Sequence, residues 1–155
     1  MHLRFGVRRS GVAPKGLAAV EFALILPVFL LLLFGITNFG ILLHDQAVVT
    51  NAAREGARWA AVRTSATFGS GCTMLAAPGP NDALNPCQVA FNYARDRLIN
   101  FNAQELPTVS YSADNGYALG SAQTVTVSYS YKGIGWFFGT QQPATYSATA
   151  VMLHE

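Results

Sequence analysis

The sequence predicts an α+β protein: a long N-terminal transmembrane helix that runs on into a small exported domain, where one further amphipathic helix lies on a three-stranded antiparallel sheet. Three observations lead there. Between Glu21 and His44 no residue is ionisable, and those 22 positions would extend about 33 Å as a helix, enough to cross a hydrocarbon core of about 30 Å. From Asp45 to Arg63 there is no proline and much alanine, so the helix has no reason to stop at the membrane surface. Beyond residue 107 the pattern changes to a period of two, the signature of strands with one buried and one wet face.

Residues 1–16 read as a basic leader that is removed rather than folded: Arg4, Arg8, Arg9 and Lys15 carry charge, no acidic residue is present, and Gly6, Gly11 and Pro14 oppose a stable helix. Residues 17–63 form one helix, with the span at about 22–43. Its length would be about 70 Å. Pro27 removes a backbone donor and crowds the carbonyl of Ala23, which predicts a kink or loosened turn. Gly35 and Gly40 weaken the helix but admit a close neighbour. Past the span, Val49, Ala52, Ala53, Gly56 and Ala60 recur at helical spacing as one narrow face of small residues, against which something must pack closely. Arg54 and Arg58, one turn apart with Glu55 between them, are either a solvated face or partners for carboxylates on another subunit.

The exported domain, 64–155, opens with a segment rich in Gly, Pro, Ser, Thr and Asn, read as a loop from Thr64 to Asn85. Asn85-Pro86 is an N-cap followed by proline in the first turn, and the helix it starts places Cys87, Phe91, Ala94, Leu98 and Phe101 on one face. Three strands follow. Thr108–Ser112 alternates weakly and ends at the turn Asp114-Asn115-Gly116; Gln123–Tyr131 puts Val125, Val127, Tyr129 and Tyr131 on one side and hydroxyl residues on the other; Thr145–Leu153 is the third. Connections this short favour antiparallel pairing. The aromatic loop Gly133–Gly139, with Trp136, Phe137 and Phe138, either folds back on the core or forms a partner-binding tip.

Two motifs resemble a known family. Gly16-Leu17-Ala18-Ala19-Val20-Glu21-Phe22 is similar to the processing site of type IV prepilins and pseudopilins, and Ala52-Ala53-Arg54-Glu55-Gly56-Ala57-Arg58-Trp59-Ala60 resembles the second signature of TadE-like minor pilins or pseudopilins. The resemblance covers Lys15 to Arg63. It implies cleavage after Gly16 by a membrane-embedded prepilin peptidase, which makes Leu17 the new amino terminus and Glu21 the fifth mature residue. It also implies work in assembly of a tight-adherence (Flp-type) pilus. Glu21, Arg54, Gly56 and Arg58 would serve assembly, and the partners would be the prepilin peptidase, the major pilin, sister pseudopilins and the inner-membrane platform. The alternative is a single-pass anchored binding module outside any fibre. An ordinary secretory signal competes at Thr50-Asn51-Ala52, but the apolar block is longer than an h-region of about 7 to 15 residues.

Composition supports an anchor plus a small domain, with 51% hydrophobic and 12% charged residues in 155. The net charge of +2 divides into +4 before Gly16 and −2 after it, which places the amino terminus in the cytoplasm and the C-terminal domain across the inner membrane. That basic segment is short and lacks interleaved aromatics, so nucleic acid is not a partner. An exported location lets Cys72 and Cys87 pair, closing a loop for about 3 kcal/mol; two buried free thiols are the alternative. With no CxxC spacing, no HExxH, no Gly-x-Ser-x-Gly and no phosphate loop, the sequence predicts neither metal nor cofactor nor catalysis.

Overall fold

The computed structural model describes residues 16–62, 71–74, 84–99, 105–116, 118–131 and 144–155. Residues 1–15 of the expected leader, Phe101 and the Gly133–Gly139 loop lie outside the described residues. The chain divides into two compact units, Met1–Thr37 and Asn38–Glu155. Helix α1, Leu17–Val62, supplies the whole described part of the first unit from Leu17 onward and the first element of the second.

In the first unit α1 is helical through Pro27, and Phe22, Ile25, Phe29, Leu32 and Ile36 are exposed. By length and composition this helix can cross a membrane. Exposed apolar side chains that water would penalise are what a lipid-facing helix requires. The hydroxyl of Thr37 donates to the Leu33 carbonyl at 2.9 Å, which satisfies a polar group within the apolar run.

The second unit is a two-layer domain. After α1 come β1 (Gly71–Met74), α2 (Pro86–Arg95), β2 (Thr108–Ala113), β3 (Ala122–Tyr131) and β4 (Ala144–Leu153). The strands form one antiparallel sheet in the order β1-β2-β3-β4. The expectation of three strands is therefore corrected to four. β1 lies in the stretch read as loop, because four residues among loop formers carry no readable period. Its strand character comes from pairing, Cys72 opposite Tyr111 and Met74 opposite Val109. The three expected strands are present with bounds shifted by a residue, and the expected antiparallel pairing holds. α2 begins as read: the Asn85 side chain accepts the Gln88 N–H at 2.9 Å and Pro86 opens the first turn. It ends at Arg95, so Leu98 packs on the core from the turn beyond the helix.

The core lies between the sheet and the two helices. β3 alternates as its sequence does, with Val125, Val127, Tyr129 and Tyr131 buried. Against them lie Phe91 and Ala94 of α2 and the small residues of α1, Ala52, Ala53, Ala57 and Ala60. The narrow face of α1 thus has its close neighbours inside its own domain. At Gly56 a Cβ would stand 2.9 Å from Ala90 Cβ, 3.0 Å from the Pro86 carbonyl oxygen and 3.2 Å from Val125 Cγ1, so three elements converge on one missing methyl group. Buried Gln123 is fully employed: it accepts from the Tyr111 hydroxyl and donates to the Gly116 carbonyl at 3.0 Å and to Ser121 Oγ at 2.8 Å, fixing the β2–β3 turn. Gly116 takes φ 57° there, as the Asp114-Asn115-Gly116 signal implies. Cys72 and Cys87 are disulfide-bonded with Cα atoms 6.3 Å apart, tying β1 to the first turn of α2.

Two stability outcomes are expected. Gly56→Ala should destabilise the domain, because an overpacking cost of about 1–3 kcal/mol against backbone exceeds the helix-propensity gain of about 1 kcal/mol; Gly40→Ala, with nothing within 4 Å, should be neutral or stabilising. Thermal unfolding of the full chain in detergent checks the contrast. Replacing Cys72 and Cys87 together by serine should cost about 2–5 kcal/mol, with hydrogen exchange rising first at β1.

Candidate functional site: the TadE-like helix

The candidate site is a row of residues along α1. Gly16 precedes the helix, and its carbonyl accepts the Val20 N–H at 3.2 Å, so it serves as the first acceptor of the helical ladder. A Cβ on Gly16 would meet nothing within 4 Å, so the fold places no steric demand on glycine at this position. Glu21 is the fifth residue of α1 and is exposed, followed by Phe22 at 65% exposure. Beyond it the helix offers no further carboxylate until Asp45.

Further along, the second motif splits by helical geometry. Ala52, Ala53, Gly56 and Ala57 face inward and are buried, while Arg54 and Arg58 are exposed. Gly56 therefore sits in the domain core, and the two arginines lie on the opposite face, with no ion pair or side-chain hydrogen bond among the described residues. Glu55, half-buried, borders a surface groove with Trp59, Val62 and Arg58. A second groove along the same helix is lined by Leu43, Gln46, Ala47, Thr50, Asn51 and Arg54.

Residues 16–58 match the family model described as TadE-like protein. This segment is similar to TadE-like proteins. The match begins at Gly16 and ends at Arg58, so it includes both motifs up to that residue and lies wholly on α1 and the glycine before it. No curated protein and no solved structure matches the chain. Among the described residues no group of three or more His, Cys, Asp or Glu side chains is placed to hold a metal ion.

The TadE-like helix also carries a residue that the sequence reading passed over. Asp45 is fully buried; Oδ1 accepts the Ile99 N–H at 3.0 Å and Oδ2 has no hydrogen-bond partner among the described residues. Nearby, His44 Nε2 lies 3.3 Å from the Arg97 carbonyl, and the Tyr131 hydroxyl donates to Asn38 Oδ1 at 2.8 Å. These contacts join α1 to the chain beyond α2 and to the end of β3. The only sequence signal for Asp45 is its place as the first carboxylate after the apolar block. Burial raises its carboxyl above the ordinary value of 3.8, against the lowering effect of the Ile99 N–H and of His44. Tyr129 is pushed up to about 12, first by burial and then by the charges of Asp45 and Glu105. Tyr131 and Tyr146 are raised by burial and by Asp45 in the same sense.

A carboxyl whose native pKa exceeds its unfolded value binds its proton more tightly when folded. Its contribution therefore favours the fold at low pH and declines as pH rises from 3.8 through the native value. Asp45→Asn keeps an acceptor for the Ile99 N–H and cannot ionise. Relative to the wild type it should raise the thermal midpoint more at about pH 7 than at about pH 3.5, a difference read from paired melting curves.

Proposed function

We propose that the chain is a minor pilin or pseudopilin that acts in assembly of a tight-adherence (Flp-type) pilus after a prepilin peptidase cuts between Gly16 and Leu17. The observation that carries this reading is the TadE-like match, which begins at Gly16 and spans an apolar helix whose one early carboxylate is Glu21. The amino terminus faces the cytoplasm, and residues 64–155 together with the last turns of α1 are exported across the inner membrane, where Cys72–Cys87 is oxidised. The partners are the peptidase, the major pilin, sister pseudopilins and the inner-membrane platform.

The chemistry of the cut follows from the geometry of the first turn. Hydrolysis removes the Gly16 carbonyl that the Val20 N–H uses and creates a cationic amine on Leu17, four residues before Glu21. A carboxylate within an apolar helix costs about 2.5–3.5 kcal/mol on insertion scales when unpaired, so a new ammonium group, on the same chain or on the neighbour it joins, would offset that cost. Pairing with a neighbour's amine would set the register of an incoming subunit. The arginines of the exported end add a second charged contact above the membrane.

Mature protein should begin at Leu17 on N-terminal sequencing. Gly16→Leu should leave the leader attached, and Glu21→Ala should be inserted and processed yet lower pilus yield by about tenfold or more, scored on sheared fibres beside membrane-fraction blots. Normal piliation by Glu21→Ala as the sole copy would sink the pairing role, and an uncut wild type in cells that make pili would sink the processing step.

A further inference from the structure

Among the described residues of the domain, four exposed charged side chains in two places have no ion pair, side-chain hydrogen bond or ring contact, and half-buried Glu55 lies between two of them on α1. Arg54 and Arg58 stand exposed on α1, on the side turned away from the core, whereas Arg95 is paired with Asp96 and Arg97 stacks on the Tyr93 ring. Asp114 and Glu155, also exposed, have no ion pair or side-chain hydrogen bond among the described residues. These two acids share one end of the sheet. The Asp114 N–H donates to the Ala122 carbonyl at 3.2 Å, Ala122 lies opposite Leu153, and the His154 N–H donates to the Ser121 carbonyl at 2.9 Å. The Glu155 N–H in turn donates to the Ala61 carbonyl at 3.3 Å. Glu155 is therefore level with the last turn of α1, and Arg58 is three residues back, about 4.5 Å along the axis.

Among the described residues, neither the outward face of β3 and β4 nor the face of α1 below Arg54 from Gln46 to Asn51 carries a charged side chain. The outward face of the sheet carries hydroxyls, with Thr126 and Thr149 2.9 Å apart and Ser128 donating to Ser147 at 3.1 Å, followed toward the Asp114–Glu155 end by the exposed side chains of Val151 and Leu153. The outward face of α1 below Arg54 presents Leu43, Gln46, Ala47, Thr50 and Asn51. A sheet surface without lysine or glutamate can receive such a helix face without desolvating a charge.

We infer that α1 of one copy docks on the outer sheet face of a second copy of this chain, with Arg54 and Arg58 meeting Asp114 and Glu155 of that copy. Copies held side by side with α1 parallel bring these groups to one level, so complementary charge and common height name the same occupant. The contact is heterologous: each copy offers its helix to one neighbour and its sheet to another, which propagates rather than closing as a twofold dimer. It rests on the fibre reading only for the parallel arrangement of the copies. Exposed ion pairs contribute little singly, and their use here is selection of partner and register.

The test is a charge exchange on the full chain, purified in mild detergent with the tag ahead of Met1 removed, its self-association followed by light scattering over a concentration series. Arg54→Glu with Arg58→Glu, and separately Asp114→Arg with Glu155→Arg, should each weaken association by about tenfold, and raised salt should weaken the wild type. An equimolar mixture of the two double variants, in which every helix-to-sheet contact is again complementary, should recover the wild-type strength, and so should the fourfold variant. A wild type that stays monomeric, double variants that associate like the wild type, or a mixture that fails to recover while Cys72–Cys87 is formed in both would each overturn the contact. Recovery of the chain in sheared fibres is scored separately, so fibre incorporation without this self-association would drop the contact and leave the pilus reading standing.

Discussion

The domain depends on the close approach of α1, α2 and β3 at Gly56. A helix meets a sheet at a distance set by the side chains between them, and here α1 presents Ala52, Ala53, Gly56, Ala57 and Ala60, which add almost nothing to its radius. α2 and β3 fill that space from the other side, with the Pro86 carbonyl and Val125 at the glycine itself. With the inward face committed in this way, helical geometry turns Arg54 and Arg58 outward. One motif thus performs two tasks by period alone: the small residues build the core, and the arginines between them face whatever approaches from outside.

A second constraint is that α1 serves two solvents. In the first unit its side chains are apolar and exposed, which is stable only against lipid; in the second its inward face is buried by protein. Polar groups cluster just past the change. Asn38 receives the Tyr131 hydroxyl, His44 lies beside the Arg97 carbonyl, and Asp45 receives the Ile99 N–H. Asp45 is the costly member, since one of its oxygens is buried without a partner among the described residues, and the same burial raises its pKa and that of Tyr129. The consequence is a polar seam between α1 and the chain that packs on it, with Asp45 at its centre.

The disulfide has a comparable place at the other side of the core. β1 is a four-residue strand at the edge of the sheet, too short to hold its position by hydrogen bonds alone. Cys87, in the first turn of α2, anchors it through Cys72, while the Asn85 cap fixes where that turn begins. Helix start and edge strand are consequently one unit. Such a link persists in an oxidising compartment.

What the sequence determined by itself were the features written in a local period or a local cap. The continuity of α1, the Asn85-Pro86 start of α2, the alternation of β3 and the turn at Gly116 each follow from neighbours within a few residues, and the two α1 motifs carried the resemblance to TadE-like proteins because they too are local. The narrow face of small residues announced a close partner but not its identity, since spacing on one helix holds no information about what lies across from it. Tertiary structure decided that the partner is the chain's own sheet and α2. It also made a strand of Gly71–Met74, where pairing with β2 overrides a segment with no propensity of its own. The burial of Asp45 was settled in the same way: a carboxylate next to a histidine reads as surface, and only the closing of the chain after α2 over Oδ1 removes it from water.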